Sequence, residues 1–491
     1  TAVFKELGKE GGLLERKVGE IAKKYGMRVL GPNCMGIMNT HHLMNITFTN
    51  IHPMAGSIAI ASQSGAVCSS MLDWSTKSKV GFSKFISVGN KLDIDEADLL
   101  KSLKDDPDTN VIGMYIEGAN RGKELMNEAF RTSQVKPIIV LKSGRTSSGS
   151  KAASSHTGAL SGSDKIYDAA FHQANIIRVN TIDELFDLLQ VFANMPMPKG
   201  DGLAIVTNAG GHGVMAADAC SDYGLRLASF EKSTIEKLKG YLPEAANLYN
   251  PVDVLGDATA DRYEFAIRTV MEDPNVNCVA VLLAPLDTVD IKAVAEHVAS
   301  FAGKVSMPVV GAFVGGTKTN VGIELMHEAN VPCYDSPDKA IRALGAMVHY
   351  KRMREASGDT APVERSLRRL VAMRSYMRDL NLGNEPQERI AEAVGMTGKE
   401  IQQMYRLLGI AKYDDRYVIP TASPESARGI TSLDPFGGVD PSDPTLQFPD
   451  LGEGAPEACT SHAAEPTGKV SLLSWTGDRP EGMFPPRRDE G

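Results

Sequence analysis

The sequence lacks several patterns that would assign a location or a partner at once. Its six cysteines are scattered singly without a CxxC pair, which is typical of a reducing compartment, so we expect a cytoplasmic protein. No apolar run approaches the ~18 residues that a membrane span needs, and no secretory signal opens the chain. The net charge of −9 and the lack of a basic-aromatic pattern argue against nucleic-acid binding. We therefore expect neither a membrane nor a nucleic acid as partner.

Common catalytic motifs are absent or occur only as near misses. There is no G-x-S-x-G elbow and no HExxH, and we predict no bound metal. Gly144 to Lys151 has the glycine spacing of a P-loop but ends in Ser-Lys, so we reject that motif. Residues 211–216 read GHGVMA, which fits the dinucleotide motif G-x-G-x-x-A, with Glu231 about twenty residues further on. A nicotinamide-dependent oxidoreductase is therefore one interpretation that stays open.

What the sequence does contain is a repeated α/β pattern. At 491 residues the chain is long enough for about three domains. Strand-like runs alternate with helical patterns between residues 57 and 354, which predicts mostly parallel, doubly wound sheets. The proline-rich residues 195–198 mark a linker between two such units. Residues 3–30 predict a helix and a short strand, and because Thr1 stands in a helical pattern we expect a truncated chain.

The composition changes beyond residue 357. Residues 363–381 predict an amphipathic helix, and a capping box that begins at Thr397 opens a second predicted helix that ends near Leu408. From Thr431 onward the segment is acidic and contains nine of the 26 prolines. Such a segment buries too little apolar area to offset its ordering entropy, so we expect disorder there.

A loop rich in serine and glycine, residues 143–163, carries one histidine, His156. It holds eight serines and four glycines and follows the apolar run 137–141. Such a loop keeps backbone freedom, and imidazole can attack a phosphoryl group near neutral pH. These features favour a mobile arm with one nucleophile. The alternative is a polar surface loop with an incidental histidine.

Two predicted helix starts are candidate anion sites. Ser64, Gly65 and Ala66 follow the strand 57–61 and open a helix, and residues 208–211 repeat the arrangement in the next unit. Free N–H groups at a helix start attract anions. The simpler alternative is a serine N-cap with only a local role. Glu117, at the end of another predicted strand, is the acid best placed to orient a histidine, although it could equally be a solvated carboxylate.

Seven short motifs occur together in one order. They are GPNCMG at 31–36, SQSG at 62–65, GNK at 89–91, EG at 117–118, SHTG at 155–158, NAGG at 208–211 and NPVD at 250–253. Over residues 1–355 this series resembles the α subunit of ADP-forming acetate–CoA ligase, a relative of succinyl-CoA ligase.

The resemblance implies a reversible reaction of acyl-CoA, ADP and phosphate to the acid, CoA and ATP, through an acyl phosphate and a phosphohistidine. It implies catalytic roles for His156 and Glu117, with CoA bound near Asn33 and Cys34. Its implied phosphate-binding residues are Ser64, Gly65, Ala66, Asn208, Gly210 and Gly211. CoA and phosphate are substrates. ADP or ATP with magnesium is implied on an ATP-grasp β subunit, a partner in a heterotetramer.

The family organisation implies an α/β fold with two flavodoxin-like domains after a truncated Rossmann domain. The predicted segments are 1–52, a remnant of the CoA-binding domain, 56–195, 200–355, the helical segment 362–427 and the tail 431–491. His212 stands where relatives more often have proline. Residues 364–427 resemble the C-terminal part of a respiratory nitrate reductase β subunit, which we interpret as a fusion or an assembly artefact. A non-catalytic acyl-CoA-binding protein remains a third interpretation.

Overall fold

The computed structural model describes residues 4–149, 151, 164–356, 411–413 and 416–418. The predicted nucleophile His156, the predicted helix 363–381, the predicted helix that ends near Leu408, and the tail from residue 431 lie outside these residues. None of the helices in the described ranges is long and apolar enough to cross a membrane.

The first unit is built on a seven-stranded sheet. Its strands are β1 (Gly36–Asn39), β2 (Met44–Thr47), β3 (Ala55–Ser62), β4 (Phe82–Ser87), β5 (Val111–Ile116), β6 (Ile138–Lys142) and β7 (Ile177–Val179). Their order is β2–β1–β4–β3–β5–β6–β7, and β3 to β7 are parallel. The parallel strands therefore take the flavodoxin order 2-1-3-4-5. This confirms the doubly wound α/β prediction.

Helices cover both faces of this sheet, because strands such as β3 are apolar on both sides and must be buried on both. The helices are α1 (Lys9–Lys24), α2 (Gly65–Ser78), α3 (Glu96–Lys104), α4 (Gly122–Ser133), α5 (Asp164–Gln173) and α6 (Ile182–Asn194). The predicted helix after Thr181 begins as expected, since the Thr181 side chain accepts a hydrogen bond from the N–H of Glu184.

The second unit repeats the same topology. Its strands are β8 (Gly202–Thr207), β9 (Arg226–Leu227), β10 (Val252–Asp253), β11 (Cys278–Leu283), β12 (Val309–Phe313) and β13 (Cys333–Tyr334). Its helices are α7 (Gly210–Asp222), α8 (Lys232–Tyr241), α9 (Ala260–Met271), α10 (Ile291–Ala299), α11 (Thr317–Glu328) and α12 (Pro337–Ala356). The main path is β10–β8–β11–β12–β13, all parallel, with β9 beside β8.

The two units share one hydrophobic core. Helices α2 and α6 from the first unit and α7 and α12 from the second contribute to the same buried cluster, together with residues of both sheets. Trp74 of α2 stacks on Phe186 of α6 with ring centroids 3.8 Å apart, and Phe192 meets Tyr350 edge to face. The buried Arg342 of α12 pairs with Asp187 of α6 at 2.7 Å. The helices that carry both candidate anion sites therefore contribute to one buried cluster.

Three local predictions differ from the structure. Residues 27–30 form no strand, because the N–H of Val29 donates to the Asp93 carboxylate at 2.7 Å instead of to a neighbouring strand. The short hairpin of β1 and β2 was not predicted from sequence, and it extends the first sheet by antiparallel pairing with β4. Within the segment 362–427, predicted as helical, β14 (Ala411–Tyr413) and β15 (Arg416–Val418) pair antiparallel, as suits their tyrosine and valine content.

Candidate functional site

Loops from several strands meet at the carboxyl edge of the first sheet. Because β3, β4 and β5 are parallel, the residues that follow them leave the sheet on the same side. The residues before β1 join this edge, since β1 runs antiparallel to β4. The edge therefore gathers the SQSG, GNK, EG and GPNCMG motifs.

The start of α2 presents open amide groups. Ser64 is the N-cap, and its hydroxyl accepts a hydrogen bond from Val67 N–H at 3.3 Å. Gly65 and Ala66 are exposed, and their N–H groups have no hydrogen-bond partner in the described part of the chain. A Cβ atom added at Gly65 would meet no atom of the described residues within 4 Å. This helix start can therefore accept an anion without rearrangement.

Glu117 stands beside this helix start, and Gln63 joins the two. The Gln63 side-chain oxygen accepts hydrogen bonds from the N–H groups of Glu117 at 2.9 Å and Gly118 at 3.2 Å. Gln63 precedes the N-cap Ser64 directly, so one side chain ties the α2 start to the end of β5. The Glu117 carboxylate is half-buried and makes no hydrogen bond or ion pair within the described residues. It is therefore available to a ligand or to an imidazole.

A buried ion pair lies behind Glu117. Lys91 Nζ is 3.3 Å from Glu96 Oε1, and the side chains are 8% and 2% exposed. Lys91 also donates to the carbonyl of Gly118. Burial raises the pKa of Glu96, while the Lys91 charge opposes that rise. Neither residue of this pair was predicted to have a role, although Lys91 belongs to the GNK motif.

Lys142 is a second buried cation that sequence reasoning missed. It ends β6, is 1% exposed, and donates to the carbonyl of Ser143. Its ammonium lies 4.6 Å from the centroid of the Tyr167 ring. Burial, aided by the Arg178 charge, lowers the pKa of Lys142 to about 8, against the opposing charges of Asp164 and Glu117. The sequence feature that could have indicated a buried lysine is its position directly after the apolar run 137–141.

The start of α7 repeats the arrangement on the second sheet. Gly210 and Gly211 are exposed, and their N–H groups have no hydrogen-bond partner in the described ranges. Asn208 is buried, and its side-chain amide bonds both backbone groups of Ala284, at 3.0 Å and 2.8 Å. His212 lies in the first turn, where burial lowers its pKa, and its Nδ1 has no hydrogen-bond partner among the described residues.

The predicted CoA residues lie at the edge of the first sheet. The loop that carries Asn33 and Cys34 packs against the GNK loop, since Asn90 N–H donates to the Pro32 carbonyl at 2.9 Å. Asn33 Nδ2 donates to Glu6 at 3.2 Å, and Cys34 is half-buried.

The structure brings some predicted site residues together and leaves others apart. Residues 64–66, Glu117 and Asn33 share the carboxyl edge of the first sheet, whereas residues 208–211 lie at the corresponding edge of the second. No hydrogen bond joins the two turns among the described residues.

Two flavodoxin-like units that each place a glycine-rich helix start at the sheet edge agree with the domains of acid–CoA ligases, the class that the family matches show. Residues 55–192 match the succinyl-CoA ligase like flavodoxin domain, and residues 203–358 match the ligase-CoA domain. The chain is 42% identical over 355 residues to the acetate–CoA ligase (ADP-forming) I subunit alpha of Pyrococcus furiosus, covering 71% of this chain and 76% of that protein. The chain belongs to the family of ADP-forming acetate–CoA ligases.

Other relatives agree with this placement. The acetate–CoA ligase (ADP-forming) I of Archaeoglobus fulgidus is 42% identical over 353 residues, which are 72% of this chain and 50% of that protein. The chain thus spans about half the length of such relatives. A solved acetyl-CoA synthetase of Ca. Korarchaeum cryptofilum, in complex with phosphate and ADP, superposes with a TM-score of 0.70 at 35% identity, over 72% of this chain and 77% of that chain.

The predicted resemblance of the C-terminal segment is confirmed. Residues 339–398 match the respiratory nitrate reductase beta C-terminal family, and 88 residues are 42% identical to the nitrate reductase 2 beta chain of Escherichia coli, 18% of this chain and 17% of that one. Most of the matched range lies outside the described residues. Its overlap with the ligase match falls on α12, which is packed into the shared ligase core.

Proposed function

We propose that this chain acts as the α subunit of an NDP-forming acid–CoA ligase, interconverting acyl-CoA, ADP and phosphate with the acid, CoA and ATP. Membership of the ligase family supports the proposal. The main structural support is that the free amides of Gly65 and Ala66 lie next to Glu117. Gln63, which precedes the N-cap of α2, accepts a hydrogen bond from the N–H of Glu117 and so connects the two. An anion-binding helix start beside an unpaired carboxylate suits phosphoryl transfer to an imidazole.

The proposed chemistry has three displacements. A phosphate oxygen attacks the thioester carbonyl, the C–S bond breaks, and CoA leaves as the thiolate to give an acyl phosphate. A ring nitrogen of His156 then attacks phosphorus, and the P–O bond to the acid breaks as the carboxylate departs. Finally, a terminal phosphate oxygen of ADP attacks the same phosphorus, the P–N bond breaks, and ATP forms.

Each predicted residue has a role in this scheme. Glu117 accepts a hydrogen bond from one ring N–H of His156, so that the other ring nitrogen stays unprotonated and nucleophilic. Both helix starts provide donors for the phosphate oxygens. At the start of α2 these are Ser64, Gly65 and Ala66. At the start of α7 they are Gly210 and Gly211, and Asn208 fixes the shape of that turn. Asn33 and Cys34 line the approach of the CoA thiol. Asn33 has φ of 52°, a conformation that asparagine tolerates better than most residues.

The proposal requires a partner. An ATP-grasp β subunit would bind ADP or ATP with magnesium and complete a heterotetramer. The relative from Pyrococcus furiosus is itself described as a subunit alpha. Acyl-CoA and a carboxylic acid would be the small-molecule substrates, and the cytoplasm the location.

Radiolabelling tests the proposal directly. The full chain is co-purified with an ATP-grasp subunit and incubated with magnesium and ATP labelled at the γ-phosphate. We expect one acid-labile, alkali-stable phosphate per chain, lost in His156→Ala and kept in His42→Ala, the control at an exposed histidine. Normal labelling in His156→Ala would refute the assignment.

Thermal-shift measurements separate the remaining interpretations. Phosphate or acyl-CoA should raise Tm if the chain is a ligase subunit, whereas a nicotinamide dinucleotide should raise it if residues 211–216 bind that cofactor. A non-catalytic acyl-CoA-binding protein would respond to acyl-CoA without any phosphate label.

A further inference from the structure

Lys91, Glu96 and Gln63 form a group beside the Gly118 carbonyl, and neither Lys91 nor Glu96 has a part in the chemistry described above. Its members follow different strands: Gln63 leaves β3, whereas Lys91 and Glu96 come after β4. Glu96 Oε1 accepts hydrogen bonds from Gln63 Nε2 at 2.5 Å and faces Lys91 Nζ at 3.3 Å. Removing two charges from water carries a large desolvation cost, so such a pair persists only where its polar groups are well satisfied.

Both Lys91 and Gln63 act on the same short segment after β5. Lys91 donates to the Gly118 carbonyl, and Gln63 Nε2 donates to the same oxygen at 2.8 Å. Gln63 Oε1 accepts from the N–H groups of Glu117 and Gly118. Side chains of this group therefore bind both N–H groups and the Gly118 carbonyl, which restricts the direction in which the Glu117 side chain leaves the backbone.

The backbone of Lys91 points to the same constraint. Its φ of 58° lies in the left-handed region, which non-glycine residues rarely adopt without support from their surroundings. Here the support comes from Glu96 and the Gly118 carbonyl, which hold the side chain inward. The lysine thus links the turn after β4 rigidly to the turn after β5.

We propose that Lys91, through the Gly118 carbonyl and its pair with Glu96, is a positioning residue that aims the Glu117 carboxylate at the α2 helix start. This inference rests on the proposed role of Glu117 in phosphoryl transfer. Because Gln63 also precedes the N-cap of α2, the group sets the distance between the acid and the phosphate-binding amides. A misplacement of about 1 Å at a reacting group can cost on the order of 100-fold in rate.

A double-mutant cycle tests the inference in the full chain with its ATP-grasp partner. Lys91→Met keeps the aliphatic stem and should slow labelling from ATP by about 100-fold with the KM for ATP within about threefold. In a Glu117→Gln background the same change should slow labelling by less than about threefold, since the carboxylate it positions is already gone. Full effects in both backgrounds, or none in the wild type, would overturn the inference.

Controls separate this effect from loss of folding. Lys84 lies on β4 and pairs with Asp106 at 3.0 Å, so Lys84→Met removes a comparable ion pair without contact to Glu117. It should lower Tm without slowing labelling. If Lys91→Met does not fold, the double variant Lys91→Met, Glu96→Gln removes both charges together and should show the same kinetic loss.

The outcomes also distinguish this inference from the proposed function. If the unaltered protein takes no label on His156, the ligase assignment fails first. If it labels normally and loses the label in Glu117→Gln but not in either Lys91 variant, only the positioning role is wrong.

Discussion

The two flavodoxin-like units share a topology but differ in how deeply the charged groups at their sheet edges are buried. In the first unit, Lys91, Glu96, Glu117 and Lys142 all lie at or next to the carboxyl edge. In the second, the turn after β8 is held by neutral groups, since Asn208 bonds Ala284 and the hydroxyl of Thr207 accepts from Ala209 N–H at 3.1 Å. The repeat therefore provides two similar helix starts, and among the described residues the buried Lys91–Glu96 pair lies beside the first of them.

An acid nevertheless stands at the second helix start. A Cβ atom at Gly210 would lie 3.3 Å from Asp253 Oδ2, so a carboxylate flanks the amides that would receive phosphate. In the first unit the open side of Gly65 has no neighbour among the described residues within 4 Å. A carboxylate therefore flanks each helix start, Glu117 beside α2 and Asp253 beside α7, and each would oppose the binding of an anion there.

Replacing the acid at each sheet edge should give the largest difference in labelling rate between the two units. Glu117→Gln should lower the labelling rate by about 1,000-fold, the size expected for a group that orients and activates a nucleophile. Asp253→Asn should leave the labelling rate within about threefold of the wild-type rate, because that carboxylate does not orient the histidine in the proposed scheme. Rapid-quench labelling measures both, and equal losses would mean that the two edges do the same work.

Breaking the ion pair between the two units should lower the free energy of unfolding, and the protein should still unfold in one cooperative transition. Arg342→Met removes the partner of Asp187, whose side chain is 16% exposed, and should destabilise the protein by about 3 kcal/mol. The matched change Arg352→Met removes an exposed contact with Asp201 and should cost at most about 1 kcal/mol. Denaturant unfolding measures both, and two separate transitions in the wild type would show that the shared core does not couple the units.

Lys142 should make the first edge pH-sensitive. Its pKa is lowered to about 8, so between pH 8 and the ordinary lysine pKa near 10.5 the unfolded chain holds more protons than the folded one. This group therefore adds stability as pH rises through that window and none of it below pH 8. The Tm of Lys142→Met minus that of the wild type should fall between pH 7 and pH 10.

The exposed Lys165 of α5 provides the control for that measurement. Lys165→Met should show a Tm difference that is flat over the same range. A flat difference for Lys142→Met as well would show that the buried amine does not titrate there.

Anion affinity should show the smallest effect. Asp253→Asn removes the negative charge beside Gly210 and should tighten phosphate binding about threefold, in line with the modest size of helix-terminus electrostatics. Calorimetric titration with inorganic phosphate measures this, with the exposed Asp222→Asn at the far end of α7 as the control. Weaker binding after Asp253→Asn would mean that the carboxylate organises the site instead of opposing it.

Much of this architecture was predictable because its signals are local. The apolar run before SQSG predicted a strand and the small residues after it a helix start, and the same logic held at residues 203–211. The hairpin of β1 and β2 was missed because its strands are four residues long and partly exposed, which leaves little periodicity. The interpretation as a ligase required several motifs in order, since each motif alone also fits a purely structural role such as an N-cap or a surface loop.

By itself, then, the sequence determined the strand–turn–helix units, the caps and the family. Hydrophobic periodicity, turn residues and the individual motifs can each be recognised within a short stretch of sequence. Only the tertiary structure decided that Gln63, Lys91, Glu96 and Gly118 form one group. These residues are up to 55 positions apart along the chain. The pairing of parallel strands brings their ends to one edge, and burial there turns ordinary side chains into a constrained ionic network.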